Sequence, residues 1–369
     1  MIDYKLMSDI LNIYENEIRK NTKNKKKIYT FEKHKMILIN DIYNIILNYN
    51  GLGSYVCKYN IFLITRPKNR IIMSLNIKDK IINHYVTRYY LMPNLEKYLD
   101  FRNVATRIGM GTSYARVLIN KYIENNKKYK KFYILKMDIS KYFYTIDHDV
   151  LKSLLKDKLS YLEYCFVCDI LNSTNYSYIN NSISYFRNKN NILDDKLPFY
   201  DKNKGLPIGN MTSQFLSIFY LYKIDHKIVH DYKIKYCIRY MDGFILIDKD
   251  KEKLKKVYLL LKEELENTYK LKLNLNKCHI TDCNEGFVFL GYRYKIIDNK
   301  TIITLEQVSK KRILKRIKEV NYLYKNNKIT FESYFCSINN YLYSYRISNW
   351  LIKRNVIKEM SSNNYEFND

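Results

Sequence analysis

Apolar positions spaced near 3.6 residues predict helices over much of the first fifty residues. Phe31, Ile37, Leu38, Ile42, Ile45 and Ile46 follow a Lys cluster at 23–27, and Gly51 and Gly53 end the stretch. From Ile61 the pattern becomes extended, Arg66 to Arg70 reads as a turn, and Ile71 to Tyr98 carries helical periodicity with Pro93 as a break. Phe132 to Ile139 predicts a strand, and Asp147 stands where it can cap a following helix. Asn172 to Lys204 is polar, rich in Asn and Tyr, and reads as a loop or loose insertion. Lys235 to Asp248 predicts two strands joined at Met241-Asp242-Gly243. Leu254, Val257, Tyr258, Leu261 and Leu265 share one helical face, Leu271, Leu273 and Leu275 alternate as a strand, and the chain after Ile297 reads as helical. With no internal repeat and no long linker, the pattern predicts mixed α+β elements in one compact unit.

Charge narrows the kind of partner. The 369 residues carry 64 Lys plus Arg against 37 Asp plus Glu, a formal net charge of +27, while 47% apolar residues with 39 Tyr and 16 Phe argue against disorder. Lys23 to Lys27, Lys127 to Lys131, and Lys310, Lys311, Arg312, Lys315 and Arg316 form three basic segments. In the last, Ile313, Leu314, Ile317 and Val320 make an apolar face that turns the cations outward, as contact with a nucleic-acid backbone requires. No run of about 18 apolar residues occurs, and Met1-Ile2-Asp3-Tyr4 is no secretory leader, so the expectation is a cytoplasmic protein with no membrane partner. Seven cysteines suit a reduced protein, and Cys165-x-x-Cys168, with no second pair at ligand spacing, reads as structural.

The candidate chemistry starts with two carboxylates. Asp138 ends an apolar strand and Asp242 sits at a hairpin tip, a pairing that can hold Mg²⁺ ions bridging triphosphate oxygens. Asp-Gly between apolar strands is also a common hairpin turn, because both residues tolerate positive φ. Both readings are open from these residues alone.

Their neighbours add a resemblance. Lys136-Met137-Asp138-Ile139-Ser140-Lys141-Tyr142-Phe143, Gly205-Leu206-Pro207-Ile208-Gly209-Asn210-Met211-Thr212-Ser213-Gln214, Arg239-Tyr240-Met241-Asp242-Gly243-Phe244, Leu275-Asn276-Lys277 and Phe289-Leu290-Gly291 resemble, in order, the motifs of reverse transcriptases. Arg66 to Ile72 and Arg107 to Thr112 resemble fingers segments of the bacterial enzymes, and Ser337 to Ser348 their thumb, so the likeness runs roughly over residues 30 to 350. Ile208 before the glycine and Gln214 after Ser213 are similar to enzymes of diversity-generating retroelements. The fold implied is an α+β right-hand polymerase with an antiparallel palm sheet. Its expected parts are a basic helical extension (1–60), fingers (61–131), palm (132–298, with an insertion around 150–205) and helical thumb (299–369), whose core Trp350 would anchor.

The resemblance implies RNA-directed DNA synthesis by two-metal nucleotidyl transfer, with template RNA, a DNA primer, dNTPs and a small basic accessory protein as partners. Asp138 and Asp242 would ligate two Mg²⁺ ions, Mn²⁺ substituting, with the Ile139 carbonyl as a third oxygen. Lys68, Arg70 and Arg107 are the candidates for the triphosphate, although Arg70 also reads as a surface turn residue. Gly209 and Gln214 belong to the nucleotide-binding segment, the glycine letting backbone approach the nascent base pair. Phe143 is either a ring under the sugar that excludes a 2′-hydroxyl or ordinary core. Lys277 either protonates pyrophosphate or supplies fixed charge. One residue departs from the pattern: the family's hairpin has two adjacent aspartates, and Gly243 stands in the second place. Two other readings follow, a phage-defence reverse transcriptase and a catalytically impaired RNA-binding protein that keeps the polymerase fold.

Overall fold

A computed structural model describes residues 3–66, 68–129 and 131–344, with side chains to residue 340; Pro67, Lys130, the end of the 337–348 segment and Trp350 lie outside the described residues. The strands are β1 (Tyr59–Ile64), β2 (Arg70–Leu75), β3 (Tyr133–Asp138), β4 (Tyr236–Tyr240), β5 (Gly243–Asp248), β6 (His279–Asp282), β7 (Phe287–Phe289), β8 (Tyr292–Ile297) and β9 (Lys300–Leu305). They form the ribbon β1-β2, a four-stranded sheet in the order β4-β5-β3-β6, and the meander β7-β8-β9. The β1-β2, β7-β8 and β8-β9 pairs are antiparallel, so the mixed helix-and-sheet class expected from the pattern is the one observed. The expectation of one compact unit is corrected: one unit draws on Met1–Ala115, Lys136–Leu246 and Lys255–His279, the other on Arg116–Leu135, Ile247–Leu254 and Ile280–Asp369. No helix among the described residues is long and apolar enough to cross a membrane.

In the first unit, helices Tyr4–Asn12, Lys25–Lys33 and Lys35–Leu47 bury Ile10, Phe31, Ile39, Ile42 and Ile46, with Asp3 and Asn24 capping the first two. Four expectations are corrected. Residues 70–75 are strand, because Ile71, Met73 and Leu75 alternate inward against β1, and the helix begins only at Ile77, capped by Asn76. The stretch 172–204 contains the helix Ser177–Asn190, whose buried stripe is only Ile179, Ile183 and Arg187, too narrow a signal against its polar background. Leu271, Leu273 and Leu275 do not form a strand: Leu273 bridges Ile139, Leu275 is exposed, and the chain turns at Leu275–Lys277 before β6. Residues 300–305 are strand, entered through Asp298 and Asn299 at φ 48° and 58°, a two-residue hairpin turn.

The core of this unit is organised around the helix Met211–Tyr220, whose last carbonyls have no partner within the helix. Tyr142 Oη donates to the Ser217 carbonyl at 2.6 Å, while Asn103 Nδ2 (3.1 Å) and Arg239 Nη2 (2.6 Å) donate to that of Ile218. Arg239 is buried and pairs with buried Asp225 through Nε and Nη2, both at 2.6 Å. The cation thus satisfies a helix C-terminus and a carboxylate together.

A second junction lies at Gly205. Asp147 caps the helix His148–Leu155, and buried His148 is 2.7 Å from the Gly205 carbonyl through Nε2. Gly205 has φ +85°, and a Cβ there would stand 2.5 Å from the Tyr200 ring, so only glycine fits. Burial pushes the His148 pKa below the ordinary imidazole value, so the folded state holds this ring neutral. Below about pH 6.5 the unfolded chain binds the extra proton more readily, and stability falls as pH drops towards the lowered folded value, by at most about 1.4 kcal/mol per pH unit. His148→Gln keeps a side-chain N–H for the Gly205 carbonyl without titrating; its Tm is expected to fall less than wild type between pH 7 and 5.5, measured by thermal melts.

Candidate active site

Asp138 is the last residue of β3, and Asp242 lies in the two-residue turn between β4 and β5. The Ile139 amide donates to the Asp242 carbonyl at 3.1 Å, which ties the hairpin to the end of β3. The Asp-Gly turn reading is corrected, because the left-handed residue is Met241 at φ 54° and Gly243 already belongs to β5. A left-handed methionine costs conformational energy, so the surroundings must hold this turn.

Asp138 accepts a hydrogen bond at Oδ2 from Lys277 Nζ, 2.5 Å away, and its carbonyl accepts from the Asn274 amide at 2.8 Å. Burial, together with the Asp138 carboxylate, raises the Asp242 pKa from the ordinary aspartate value, against the opposite pull of Lys277 and Arg70. No group of three or more His, Cys, Asp or Glu side chains among the described residues is arranged to hold a metal ion. Mg²⁺ binds commonly through one or two carboxylates with substrate phosphates completing its shell. A buried carboxylate repelled by its neighbour is the donor set such a cation would relieve, so Asp138 and Asp242 fit the ion.

Around them lies a cavity of about 820 Å³. Of the residues singled out from the sequence, Asp138, Ile139, Asp242, Lys277, Lys68, Arg70 and Phe143 all line it. Arg107 does not: its Nη1 donates to the carbonyls of Asp100 (2.8 Å) and Asn103 (3.2 Å), and Nε lies 3.6 Å from Glu96. Gly209 sits beside the lining residue Ile208 at φ +114°, where a Cβ would stand 3.2 Å from Ile72 Cγ2. Gln214 is exposed on the helix Met211–Tyr220 rather than lining the cavity.

Sequence reasoning missed Asp195, Lys196 and Pro198, which reach the cavity from beyond the helix Ser177–Asn190, and Asn274, which reaches it from the segment read as a strand. No residue pattern marked them; their position follows from the path of an insertion. In the second unit, Lys311, Arg312, Lys315 and Arg316 are exposed and Lys310 half-buried on the helix Gln307–Lys325, over buried Ile313 and Ile317. That is the outward cation face expected from the periodicity. Cys165 and Cys168 are buried side by side on the helix Tyr161–Asn172.

The sequence model for "Reverse transcriptase (RNA-dependent DNA polymerase)" matches residues 64–294, which contain both aspartates and every residue lining the cavity. The chain belongs to the reverse transcriptase family. Comparison with curated proteins gives no match. Among solved structures, this reverse transcriptase is similar to apo telomerase from Candida tropicalis truncated from its C-terminal domain, with TM-score 0.46, 16% identity, 70% of this chain and 58% of that chain covered. It is also similar to telomerase from Candida albicans in complex with a TWJ fragment of telomeric RNA, with TM-score 0.46, 12% identity, and 76% and 50% covered. The chain spans about half the length of these telomerase chains.

The different settings of the three cations make a measurable contrast. Lys68→Ala and Arg70→Ala are expected to raise the KM for dNTP roughly tenfold or more, the worth of a charged hydrogen bond of ~1.5 kcal/mol. Arg107→Ala is expected to leave KM within about twofold and to lower Tm, because its bonds go to backbone carbonyls. Steady-state primer extension and thermal melts check both.

Proposed function

We propose that this reverse transcriptase copies a template RNA into cDNA by two-metal nucleotidyl transfer, as a polymerase of the diversity-generating retroelement type. The observation that carries the reading is the convergence of Asp138, Asp242, Lys277, Lys68, Arg70 and Phe143 on one cavity. In the same reading, 1–60 is a basic extension, 61–131 fingers, 132–298 palm and 299–369 thumb, and the partners are template RNA, a DNA primer, dNTPs and a small basic accessory protein.

In the reaction the primer 3′-hydroxyl gives up its proton to solvent, its oxygen forms a bond to the α-phosphorus, the bridge to the β-phosphate breaks, and pyrophosphate leaves. Mg²⁺ or Mn²⁺, when bound, supplies the Lewis acidity that generates the nucleophile and offsets charge on the phosphates. Asp138 and Asp242, with the Ile139 carbonyl, are the oxygens that would hold it. Lys68 and Arg70 orient the β- and γ-phosphates by charge-assisted hydrogen bonds. Lys277 stands at Asp138, within the cavity, to give a proton to pyrophosphate or to remain as fixed positive charge. Phe143 and Ile208 line the same cavity, which supports a ring under the sugar of the incoming nucleotide and relaxed copying of template bases.

Gly243 supports a second reading. With one carboxylate fewer at the hairpin, cation binding is weakened, and an RNA-binding protein of low activity results. Gly243→Asp is expected to raise kcat in Mg²⁺ at least tenfold, with a smaller gain in Mn²⁺, in extension of oligo(dT) on poly(rA). Equal rates in both proteins would show the second carboxylate to be dispensable; no incorporation in either metal, with RNA binding retained, would decide for the second reading. Phe143→Ala is expected to reduce discrimination against rNTPs at least tenfold in paired dNTP and rNTP incorporation rates, whereas a core Phe143 would instead lower Tm with the ratio unchanged.

A further inference from the structure

We propose that Arg239 is the positioning residue of the active-site hairpin: it fixes Asp242 by holding the Met241 carbonyl, and Asp225 in turn holds Arg239. The inference rests on the nucleotidyl-transfer reading and extends it to residues outside the cavity.

The guanidinium is 2% exposed and faces three kinds of acceptor. Nε and Nη2 reach the two oxygens of Asp225 at 2.6 Å each, Nη2 also reaches the Ile218 carbonyl at 2.6 Å, and Nη1 reaches the Met241 carbonyl at 3.0 Å. The last bond matters most, because Met241 is the residue at φ 54° and the peptide whose carbonyl is held is the one that leads into Asp242. Ser217 Oγ lies 3.3 Å from Met241 Sδ, so the helix that Arg239 caps also touches the side chain of the turn. A fork of donors is needed to hold a carboxylate and two carbonyls in different directions, and lysine has no such fork. The backbone of Arg239 is fixed as well: its amide donates to the Arg102 carbonyl at 2.9 Å and its carbonyl accepts from the Val104 amide at 3.0 Å. Since Gly243 offers no side chain, the direction of the one carboxylate at this tip depends on the turn's backbone. A displacement of about 1 Å of a reacting group costs roughly a hundredfold in rate.

A pair that served only the core would be replaceable by apolar residues of similar volume, since buried ion pairs exchanged as a unit often leave stability unchanged. The test is therefore the double variant Arg239→Met with Asp225→Leu, beside Arg239→Lys, which keeps the charge on Asp225 and loses the fork. Three measurements are made on the full chain: thermal melting, Mn²⁺ affinity by calorimetry, and the methyl resonance of Met241 in methionine-labelled protein, assigned with Met241→Leu. The expected result is a Tm near wild type for the double variant, a shifted Met241 resonance in both variants, Mn²⁺ affinity weakened at least tenfold, and kcat lowered about a hundredfold with the dNTP KM within about twofold. A wild-type Met241 resonance and wild-type Mn²⁺ affinity in a folded variant would overturn the proposal and leave the pair a core element. If the double variant does not fold, Arg239→Lys decides by the same two readouts. Failure of the polymerase reading is separate: wild type would incorporate no dNTP, while the Met241 resonance would still respond to Arg239.

Discussion

The buried pair of Arg239 and Asp225 is the constraint on which the geometry around the Asp242 hairpin depends. A guanidinium with 2% exposure is costly to desolvate, and the cost is offset only if the donors in use meet acceptors at good geometry. Here those acceptors are a carboxylate, a helix-end carbonyl and a turn carbonyl. Satisfying one cation therefore brings together the helix Tyr222–His230, the end of the helix Met211–Tyr220 and the hairpin that carries Asp242. Tyr142 and Asn103 complete the same helix end, which links the segment after Asp138 to it. Breaking such a pair by removing one partner costs roughly 3–5 kcal/mol, a large part of the stability of an ordinary domain.

Electrostatics decide the character of the cavity next to it. Two carboxylates line one cavity, and each is met by a cation: Lys277 bonds Asp138, and Lys277 and Arg70 pull on Asp242. Burial of Asp242 still raises its pKa from the ordinary aspartate value. Such a site gains from a divalent cation and from phosphate together more than from either alone, because each offsets the charge the other brings. The family's second aspartate would add another negative charge, and its replacement by Gly243 leaves a site in which positive side chains are relatively prominent.

The legible parts of the sequence are those in which a short pattern has one structural solution. An apolar run ending at Asp138 placed β3, and the apolar runs on either side of Met241-Asp242-Gly243 placed the β4–β5 hairpin. Cations over an apolar stripe placed the exposed face of the helix Gln307–Lys325. Illegible parts had patterns with two solutions. Ile71, Met73 and Leu75 fit a strand, yet the apolar residues that follow fit a helix, and only the partner strand β1 shows where one gives way to the other. The helix Ser177–Asn190 has a stripe of three buried positions, one of them Arg187, whose Nε bonds the Leu197 carbonyl. Its helical state is set by what it packs against.

The sequence by itself determined the family and named seven residues that meet at the cavity, because catalytic motifs are short, ordered and chemically specific. It also marked Gly243 as a missing carboxylate, since identity at a position needs no coordinates. Only the tertiary structure decided that Arg107 is spent on the Asp100 and Asn103 carbonyls, that Asp195 and Lys196 reach the cavity, and that Met241 rather than the Asp-Gly pair bears the left-handed turn. The reason is physical. A cation's role depends on which acceptors lie near it, and for Arg107, as for two of the bonds of Arg239, those acceptors are backbone carbonyls, which every residue carries and no sequence motif records.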